Sequence, residues 1–442
     1  MNKSKKVYIE TYGCQMNFSD SEIVAAILTE GGYTFTEKIR DADILLINTC
    51  SIREHAEDRV RKRLHYFYSL RKKKPELIIG LLGCIAERTK LSLIKEEYLL
   101  DLVAGPDSYR YLPVLLEQAD TGQQAVNTIL STDETYADIT PVRLSSNGVS
   151  AFISIMRGCE NYCSYCVVPS TRGKERSRDA FTIVNEARTL AEKGYREITL
   201  LGQNVNSYKW ISGEEEIDFT RLLVRVAQVS SLLRIRFATS HPKDISEELL
   251  KTIACYKNIC KSIHLPVQSG SNRILELMNR KYNREQYMEL IEAIHRIIPD
   301  CAVSTDIITG FCSETDVDHQ QTLELMKWAR FDFAFMFKYS ERPQTLAADQ
   351  YMDNVPDSVK EQRLREIIDL QQTLSLQSNK RDLEKVFTVL IEGSSKRSAD
   401  DYFGRTTSNK VVVFPKSDVL PGNYVKVKIS HCTSATLIGE II

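Results

Sequence analysis

At 442 residues the chain is longer than one ordinary domain, and about three are expected at roughly 150 residues each. A formal net charge of −1 excludes a polyelectrolyte, so any nucleic-acid surface has to be a local patch, while a 43% hydrophobic content suffices for real cores. The start, Met1-Asn2-Lys3-Ser4-Lys5-Lys6, runs directly into a short strand from Val7 to Thr11. No run of about 18 apolar residues follows, so a cytoplasmic protein without a membrane partner is expected. In that compartment eleven cysteines point to metal or redox chemistry rather than to a disulfide framework.

Apolar runs precede each of the first cysteines. Lys6 to Gly13 leads to Cys14, Ile44 to Thr49 leads to Cys50, and Leu77 to Gly83 leads to Cys84; each run reads as a buried strand. A helix capped by Ser19 or Asp20 is expected to run to about Glu30 and to stop at Gly31-Gly32, and another to run from about Ile52 to Ser69. Alternating strands and helices imply a parallel sheet with right-handed crossovers. Residues just past the carboxyl ends of such strands collect on one edge, where open α/β sheets bind ligands. Cys14, Cys50 and Cys84 are therefore predicted to converge on a three-thiol site, the alternative being three unrelated buried cysteines.

Residues 118 to 149 are polar and read as an interdomain connection. A second alternation begins at Ala151, with strands suggested at Phe152–Met156, Ile198–Leu201, Ile235–Thr239, Ser262–Leu265, Val303–Ile308 and Phe333–Phe337. After the first of these comes Cys159-Glu160-Asn161-Tyr162-Cys163-Ser164-Tyr165-Cys166. This Cys-x3-Cys-x2-Cys run offers three thiolates, where a closed zinc site wants four. A four-iron four-sulfur cluster held by three cysteines leaves one iron able to bind a small molecule. A zinc knuckle or a chance cluster remains the alternative. The run resembles that of the radical S-adenosylmethionine (SAM) enzymes, and the six strand–helix units match the open (β/α)6 barrel of that family. Chemistry in such barrels sits at the carboxyl ends of the strands. The resemblance makes Gln203, Asn204, Asn206, Ser240, His241, Gln268, Ser269 and Asp306 candidates for SAM contacts, against simple loop capping. Tyr165 fits the family's aromatic near the adenine, against ordinary core packing.

A helix from about Asp357 to Arg381 leads to a tail with strands at Val386–Ile391, Lys410–Phe414 and Tyr424–Ile429, which suggests a compact β-barrel. From Gln377 onward ten basic residues face seven acidic ones, and small barrels of this kind can bind single-stranded RNA. Further basic runs are Arg59–Arg63, Arg71–Lys74 and Arg172–Arg178. Cys255, Cys260, Cys301, Cys312 and Cys432 show no pairing pattern and read as buried thiols or bystanders.

Thr11-Tyr12-Gly13-Cys14-Gln15-Met16-Asn17, Asn48-Thr49-Cys50-Ser51-Ile52-Arg53-Glu54 and Gly83-Cys84-Ile85-Ala86 together resemble the amino-terminal signature of the methylthiotransferases. The Cys-Gln-Met-Asn and Cys-Ser-Ile-Arg-Glu forms favour the branch acting on N6-isopentenyladenosine in tRNA over those acting on threonylcarbamoyl-adenosine or a ribosomal protein. A non-catalytic iron–sulfur RNA-binding protein is the remaining alternative, though carriers normally close their clusters with four ligands. The resemblance implies an α/β fold in three parts. These are an amino-terminal parallel α/β domain (1–120), the radical SAM barrel (150–380) after a linker (121–149), and an OB-like TRAM barrel (381–442). It implies two four-iron four-sulfur clusters, on Cys14, Cys50 and Cys84 and on Cys159, Cys163 and Cys166, together with SAM. Its partners would be tRNA carrying N6-isopentenyladenosine, an electron donor and a sulfur donor. Two departures stand out: Gly310-Phe311-Cys312-Ser313 and Pro343-Gln344-Thr345 each lack a glycine that the family has, which puts the local loop geometry in question.

Overall fold

The computed structural model describes residues 4–50, 54–89, 100–144 and 147–442, so Ser51, Ile52 and Arg53 of the second motif and Ser145-Ser146 of the expected linker lie outside the described residues. The chain forms two compact units, one of residues 1–145, 156–160 and 166–178, the other of residues 146–155, 161–165 and 179–442.

The first unit is built on a sheet of parallel strands β1 (Lys6–Tyr12), β2 (Thr34–Phe35), β3 (Ile44–Thr49), β4 (Ile78–Gly83), β5 (Leu102–Ala104) and β6 (Ala125–Asn127). Their order is β2-β1-β3-β4-β5-β6. Strands β3 and β4 are buried at every residue because helices cover both faces, which is why they read as unbroken apolar runs. Ile44 and Leu46 join Val24 and Leu28 of helix Gln15–Glu30 on one face, while Leu45 and Ile47 join Leu64 and Phe67 of helix Glu54–Arg71 on the other. The first helix starts earlier than its composition suggests. Cys14 is its N-cap residue, and Ser19 and Asp20 are buried within it. Strand β6 lies among residues read as a connection; its short Ala-Val-Asn sequence carries too little periodicity to announce itself. A two-stranded ribbon, β8 (Met156–Arg157) against β9 (Arg176–Ser177), completes this unit, β7 (Ser150–Ser154) belonging to the second.

In the second unit, β7 (Ser150–Ser154), β10 (Glu197–Leu201) and β13 (Arg234–Ala238) form one parallel sheet; the hairpin β11 (Lys209–Ser212) and β12 (Glu215–Asp218) follows β10. Strands β14 (Ser262–His264), β15 (Ala302–Thr309) and β16 (Phe333–Lys338) form a second parallel sheet. All six expected barrel strands are present, with helices such as Arg284–Ile297 and Asp316–Ala329 between them. Both glycine-lacking loops have a left-handed backbone: Ser313 has φ +60° and Gln344 φ +65°. Side chains there cost about 1 kcal/mol relative to glycine. The surroundings hold the conformation: the Ser313 N–H donates to Asn354 Oδ1 at 2.9 Å, and its carbonyl accepts from Arg273 Nη2 at 2.7 Å.

The tail closes into an antiparallel-rich barrel of β17 (Val386–Ser394), β18 (Asp401–Arg405), β19 (Val411–Pro415), β20 (Tyr424–Cys432) and β21 (Leu437–Ile441), ordered β17-β18-β19-β21-β20. It is fixed to the amino-terminal ends of β10 and β13. The single Tyr424 hydroxyl proton is shared between the carbonyls of Leu232 (2.9 Å) and Arg196 (3.1 Å). Arg234 donates to the carbonyls of Arg405 and Thr388, and Arg236 to that of Thr406 at 2.8 Å and to Glu197 at 2.9 Å. Arg236 and Glu197 are both buried. Replacing Arg236 with Ala leaves Glu197 buried without its charge partner and is expected to cost about 3–5 kcal/mol, read as a lowered midpoint of denaturant unfolding followed by far-UV circular dichroism.

Candidate functional site

Three adjacent strands of one sheet deliver the first cysteine set. Tyr12, Thr49 and Gly83 stand in register, so Cys14, Cys50 and Cys84 leave the sheet side by side at its carboxyl edge. Two glycines make that approach possible. Gly13 (φ +128°) has no room for a side chain against the Cys50 Cβ, and Gly83 (φ +88°) none against Asn48 and the Thr49 carbonyl. A buried amide lattice sits beneath: the Cys14 thiol donates to Asn17 Oδ1 at 3.2 Å, Asn17 Nδ2 to Asn48 Oδ1 at 3.2 Å, and Asn48 Nδ2 to Ser21 Oγ at 2.9 Å.

Arg172 enters this site from helix Val168–Arg172, just after the second cysteine set. Its Nε lies 3.3 Å from Cys84 Sγ, and its Nη2 donates to Asp20 Oδ2 at 2.7 Å. Asp20 takes a second guanidinium, Arg157 Nη1, at 2.9 Å on its other oxygen. Arg176 pairs with Asp107 at 2.7 Å. Burial would push the Asp20 carboxyl up, but the two arginines outweigh it and hold the carboxyl below its ordinary range. The hydrogen bond with Cys50, aided by the Arg172 charge against the effect of burial, brings the Cys14 thiol down to about 6. Burial raises Cys84 despite Arg172. Arg172 and Arg176 are thus spent on internal ion pairs, and the expected basic face from Arg172 to Arg178 is largely buried. Among the described residues no His, Cys, Asp or Glu side chains are grouped for a single metal ion.

Of the second cysteine set, Cys159 and Cys166 belong to the first unit and Cys163 to the second. The Cys159 N–H donates to the Gly173 carbonyl at 3.3 Å, and the Val168 N–H reaches Cys166 Sγ at 3.5 Å. Within the second unit the Asn279 side chain donates to the Tyr162 carbonyl, and Ser164 bonds the carbonyls of Leu277 and Met278. Arg280 Nη1 lies 3.2 Å from Cys163 Sγ, its Nη2 donates to Pro266 O at 2.8 Å and its Nε to the Tyr282 hydroxyl at 2.9 Å. Sequence patterns did not single out Arg172 or Arg280 as cysteine partners, because each is brought to its thiol by tertiary structure alone.

Beyond the carboxyl ends of the barrel strands, Gln203 Oε1, both amide atoms of Asn206, Ser240 Oγ, His241 Nε2 and Gln268 Oε1 are buried with no hydrogen-bond partner. Leaving such a group unsatisfied costs about 1–3 kcal/mol. His241 Nδ1 accepts from the Lys243 N–H, which places the ring proton on Nε2, and burial lowers its pKa to about 2, so the ring is a neutral donor. This donor and acceptor set fits a polar cofactor carrying amine, carboxylate, hydroxyl and base. The other candidates differ. Asn204 is spent within its loop, donating to Asp244 at 2.7 Å and accepting from the His241 N–H at 3.0 Å. Asp306 faces His264 Nε2 at 3.3 Å. Tyr165 packs on the apolar cluster of Met278, Phe311 and Tyr339.

One surface went unread as a site in the sequence. Phe333, Phe335 and Phe337 of β16 are exposed, while Ala334 and Met336 between them turn toward the other face of the strand. By register they share a face with Ser304, Asp306 and Ile308, and Phe335 meets the His264 ring edge-on at 5.8 Å. The period-two alternation of Phe with smaller residues was the available signal.

Residues 6–105 match the uncharacterized protein family UPF0004, residues 153–326 the radical SAM superfamily and residues 380–442 the TRAM domain. The tRNA-2-methylthio-N(6)-dimethylallyladenosine synthase of Amoebophilus asiaticus is 56% identical, covering 99% of this chain and 93% of its own. The same-named protein of Parabacteroides distasonis is 56% identical over 99% of this chain and 95% of its own. The chain belongs to this synthase family. It is a radical SAM tRNA methylthiotransferase, of the branch that the Cys-Gln-Met-Asn and Cys-Ser-Ile-Arg-Glu motifs favoured. Among solved structures, the radical SAM methyltransferase TsrM from Kitasatospora setae shares the fold at TM-score 0.58 and 14% identity, over 78% of this chain and 74% of that one. The cobalamin-dependent radical enzyme OxsB does so at TM-score 0.53 and 13% identity, over 84% of this chain and 56% of its own.

Replacing Asp20 with Ala would leave buried Arg172 without its carboxylate and Arg157 with only the more distant Asp107, at 3.6 Å. An expected loss of about 3–5 kcal/mol would appear as a lowered unfolding midpoint of the apo-protein, with Asp20→Asn intermediate.

Proposed function

We propose that this synthase inserts a methylthio group at C2 of N6-isopentenyladenosine next to the anticodon of tRNA, using two four-iron four-sulfur clusters and SAM. The observation that carries this reading is the convergence of Cys14, Cys50 and Cys84 at one sheet edge, in a chain that also has the Cys-x3-Cys-x2-Cys run. The clusters and SAM supply the radical that takes hydrogen from an unactivated aromatic C–H and the sulfur that replaces it, chemistry no side chain offers. Cys159, Cys163 and Cys166 hold the SAM-binding cluster, and Arg280 compensates its charge at Cys163. Gln203, Asn206, Ser240, His241 and Gln268 hold SAM through the polar atoms that otherwise lack partners, with Asp306 beside them; Asn204 fixes the loop, and Tyr165 backs the cysteine run. Cys14, Cys50 and Cys84 hold the second cluster, where sulfur is delivered.

The Phe333-Phe335-Phe337 face receives the adenine and its prenyl chain, since aromatic faces stack bases and bury apolar groups. In the tail Lys426 and Lys428 are exposed between buried Val425, Val427 and Ile429, and contact phosphate without reading sequence. We assign the functional division to 1–120, 150–380 and 381–442, with 121–149 between the first two. The enzyme works in the cytoplasm, where its tRNA, an electron donor and a sulfur donor are supplied.

Reconstituted protein, reductant, SAM and prenylated tRNA should give 2-methylthio-N6-isopentenyladenosine in nucleoside mass spectra; methylthiolation of threonylcarbamoyl-adenosine instead would overturn the reading. Cys163→Ala should abolish 5′-deoxyadenosine formation. A triple Ala variant at Cys14, Cys50 and Cys84 should retain about half the iron and still cleave SAM, yet make no methylthio product. Phe335→Ala should lower kcat/KM for tRNA by about tenfold or more, while SAM cleavage without tRNA stays near the parent rate, because one aromatic–base contact is worth about 1–3 kcal/mol.

A further inference from the structure

The helix Glu54–Arg71 and the turn after it carry more positive charge than the fold uses. From Arg59 to Lys74 there are eight Lys or Arg side chains and no Asp or Glu, in a chain of formal net charge −1. Three of the eight hold the first unit together. Arg63 donates to Glu10 at 2.7 Å, Arg71 pairs with Asp101, and Lys74 donates to the Ala42 carbonyl at 2.9 Å. Arg59, Lys62, Lys72 and Lys73 are exposed instead. Helix stability does not account for them all. Lys72 and Lys73 follow the last turn, where positive charge is favourable, but Arg59 and Lys62 lie in the first half of the helix, away from that benefit. Arg59 also stands three residues before Lys62 and four before Arg63, where like charges repel. Tyrosines are interleaved with these cations. Tyr66 and Tyr68 are exposed, with the Arg63 guanidinium 4.5 Å from the first ring and the Lys72 ammonium 6.0 Å from the second. An acidic protein would answer the charges alone, whereas RNA answers both, with phosphates for the cations and bases for the rings. The direction of the helix matters as well. It follows Cys50, covers Leu45 and Ile47 of β3, and returns the chain to the start of β4, so its first turn is at the carboxyl edge of the sheet. Arg59 marks that end, its guanidinium 5.9 Å from the ring of Tyr12, which stands two residues before Cys14. Arg71 is about 18 Å farther along at 1.5 Å per residue. A stripe of that length spans several phosphates of a strand that rises about 3.4 Å per nucleotide.

We infer that the exposed face of helix Glu54–Arg71, with Lys72 and Lys73 beyond it, binds the tRNA phosphates flanking the nucleotide to be modified. Arg59 and Lys62 take those nearest the cysteine edge, and Lys72 and Lys73 those farther away. They are positioning residues, which hold the RNA so that its target base meets that edge. The inference rests on the reading that Cys14, Cys50 and Cys84 deliver the sulfur. It goes beyond that reading in giving the amino-terminal unit an RNA surface of its own, separate from the lysines of the tail barrel.

The test titrates dye-labelled tRNA carrying N6-isopentenyladenosine with the iron-loaded full chain, and reads Kd by anisotropy between about 50 and 200 mM potassium chloride. The variant combines Lys62→Gln, Lys72→Gln and Lys73→Gln. It should raise Kd by about tenfold or more at the lowest salt. It should also lower the slope of log Kd against log salt by about two to three, since each lost phosphate contact removes about 0.7–0.9. Arg at the same three positions should restore the parent slope. Hydroxyl-radical footprints of the tRNA should lose protection beside the modified adenosine. A parent-like slope in the Gln variant overturns the inference, and so does a loss of protection confined to nucleotides remote from that adenosine. Slower reduction of the variant by an acidic electron-carrier protein, with tRNA binding unchanged, assigns the face to that partner and overturns it too. Iron content and circular dichroism report whether the variant is folded. Should it not be, Lys62→Gln alone should lower the slope by about one, and a parent-like slope there is equally decisive against the inference. The sulfur-delivery reading fails separately, if the triple Ala variant at Cys14, Cys50 and Cys84 still makes methylthio product.

Discussion

A single carboxylate organises the amino-terminal unit. Asp20, wholly buried in the first helix, binds Arg157 with one oxygen and Arg172 with the other. Those arginines flank the Cys159–Cys166 run, one before and one after it, and Arg172 reaches on to Cys84. The tie is therefore between the helix that follows Cys14 and the segments either side of the second cysteine set. Burying an uncompensated charge is far more costly than any surface contact, so this geometry tolerates little drift. The glycine approaches and the amide lattice of Asn17 and Asn48 are refinements around that fixed point.

Sheet and barrel were legible in the sequence because their strands are buried on one or both faces and so carry the apolar signal. Ile44–Thr49 and Ile78–Gly83 are clear for that reason, and the cysteines after them inherit the clarity. Strands β6, β18 and β21 were missed: they are short, and Asp401–Arg405 mixes charge and glycine with its aromatics. The misplaced helix start has another cause. Ser19 and Asp20 are good capping residues by type, yet Asp20 has a stronger use, and the chain turns at Cys14 instead. Partnerships such as Arg172 with Cys84 span 88 positions and leave no local trace.

The loops at Ser313 and Gln344 show the converse. Losing glycine there puts the loop geometry in question, and both positions adopt a left-handed backbone, the conformation glycine favours. At Ser313 the bonds to Asn354 and Arg273 hold that conformation.

The docking of the tail barrel has a geometric consequence. Its contacts, through Arg234, Arg236 and Tyr424, are at the amino-terminal rim of the strands, whereas Gln203, Ser240 and Gln268 lie at the opposite rim. Hydrogen bonds to main-chain carbonyls on both sides of the seam hold it there. The two rims are separated by the length of the barrel strands, so the span of the fold, and not any local sequence, sets the distance between the tail barrel and these polar groups.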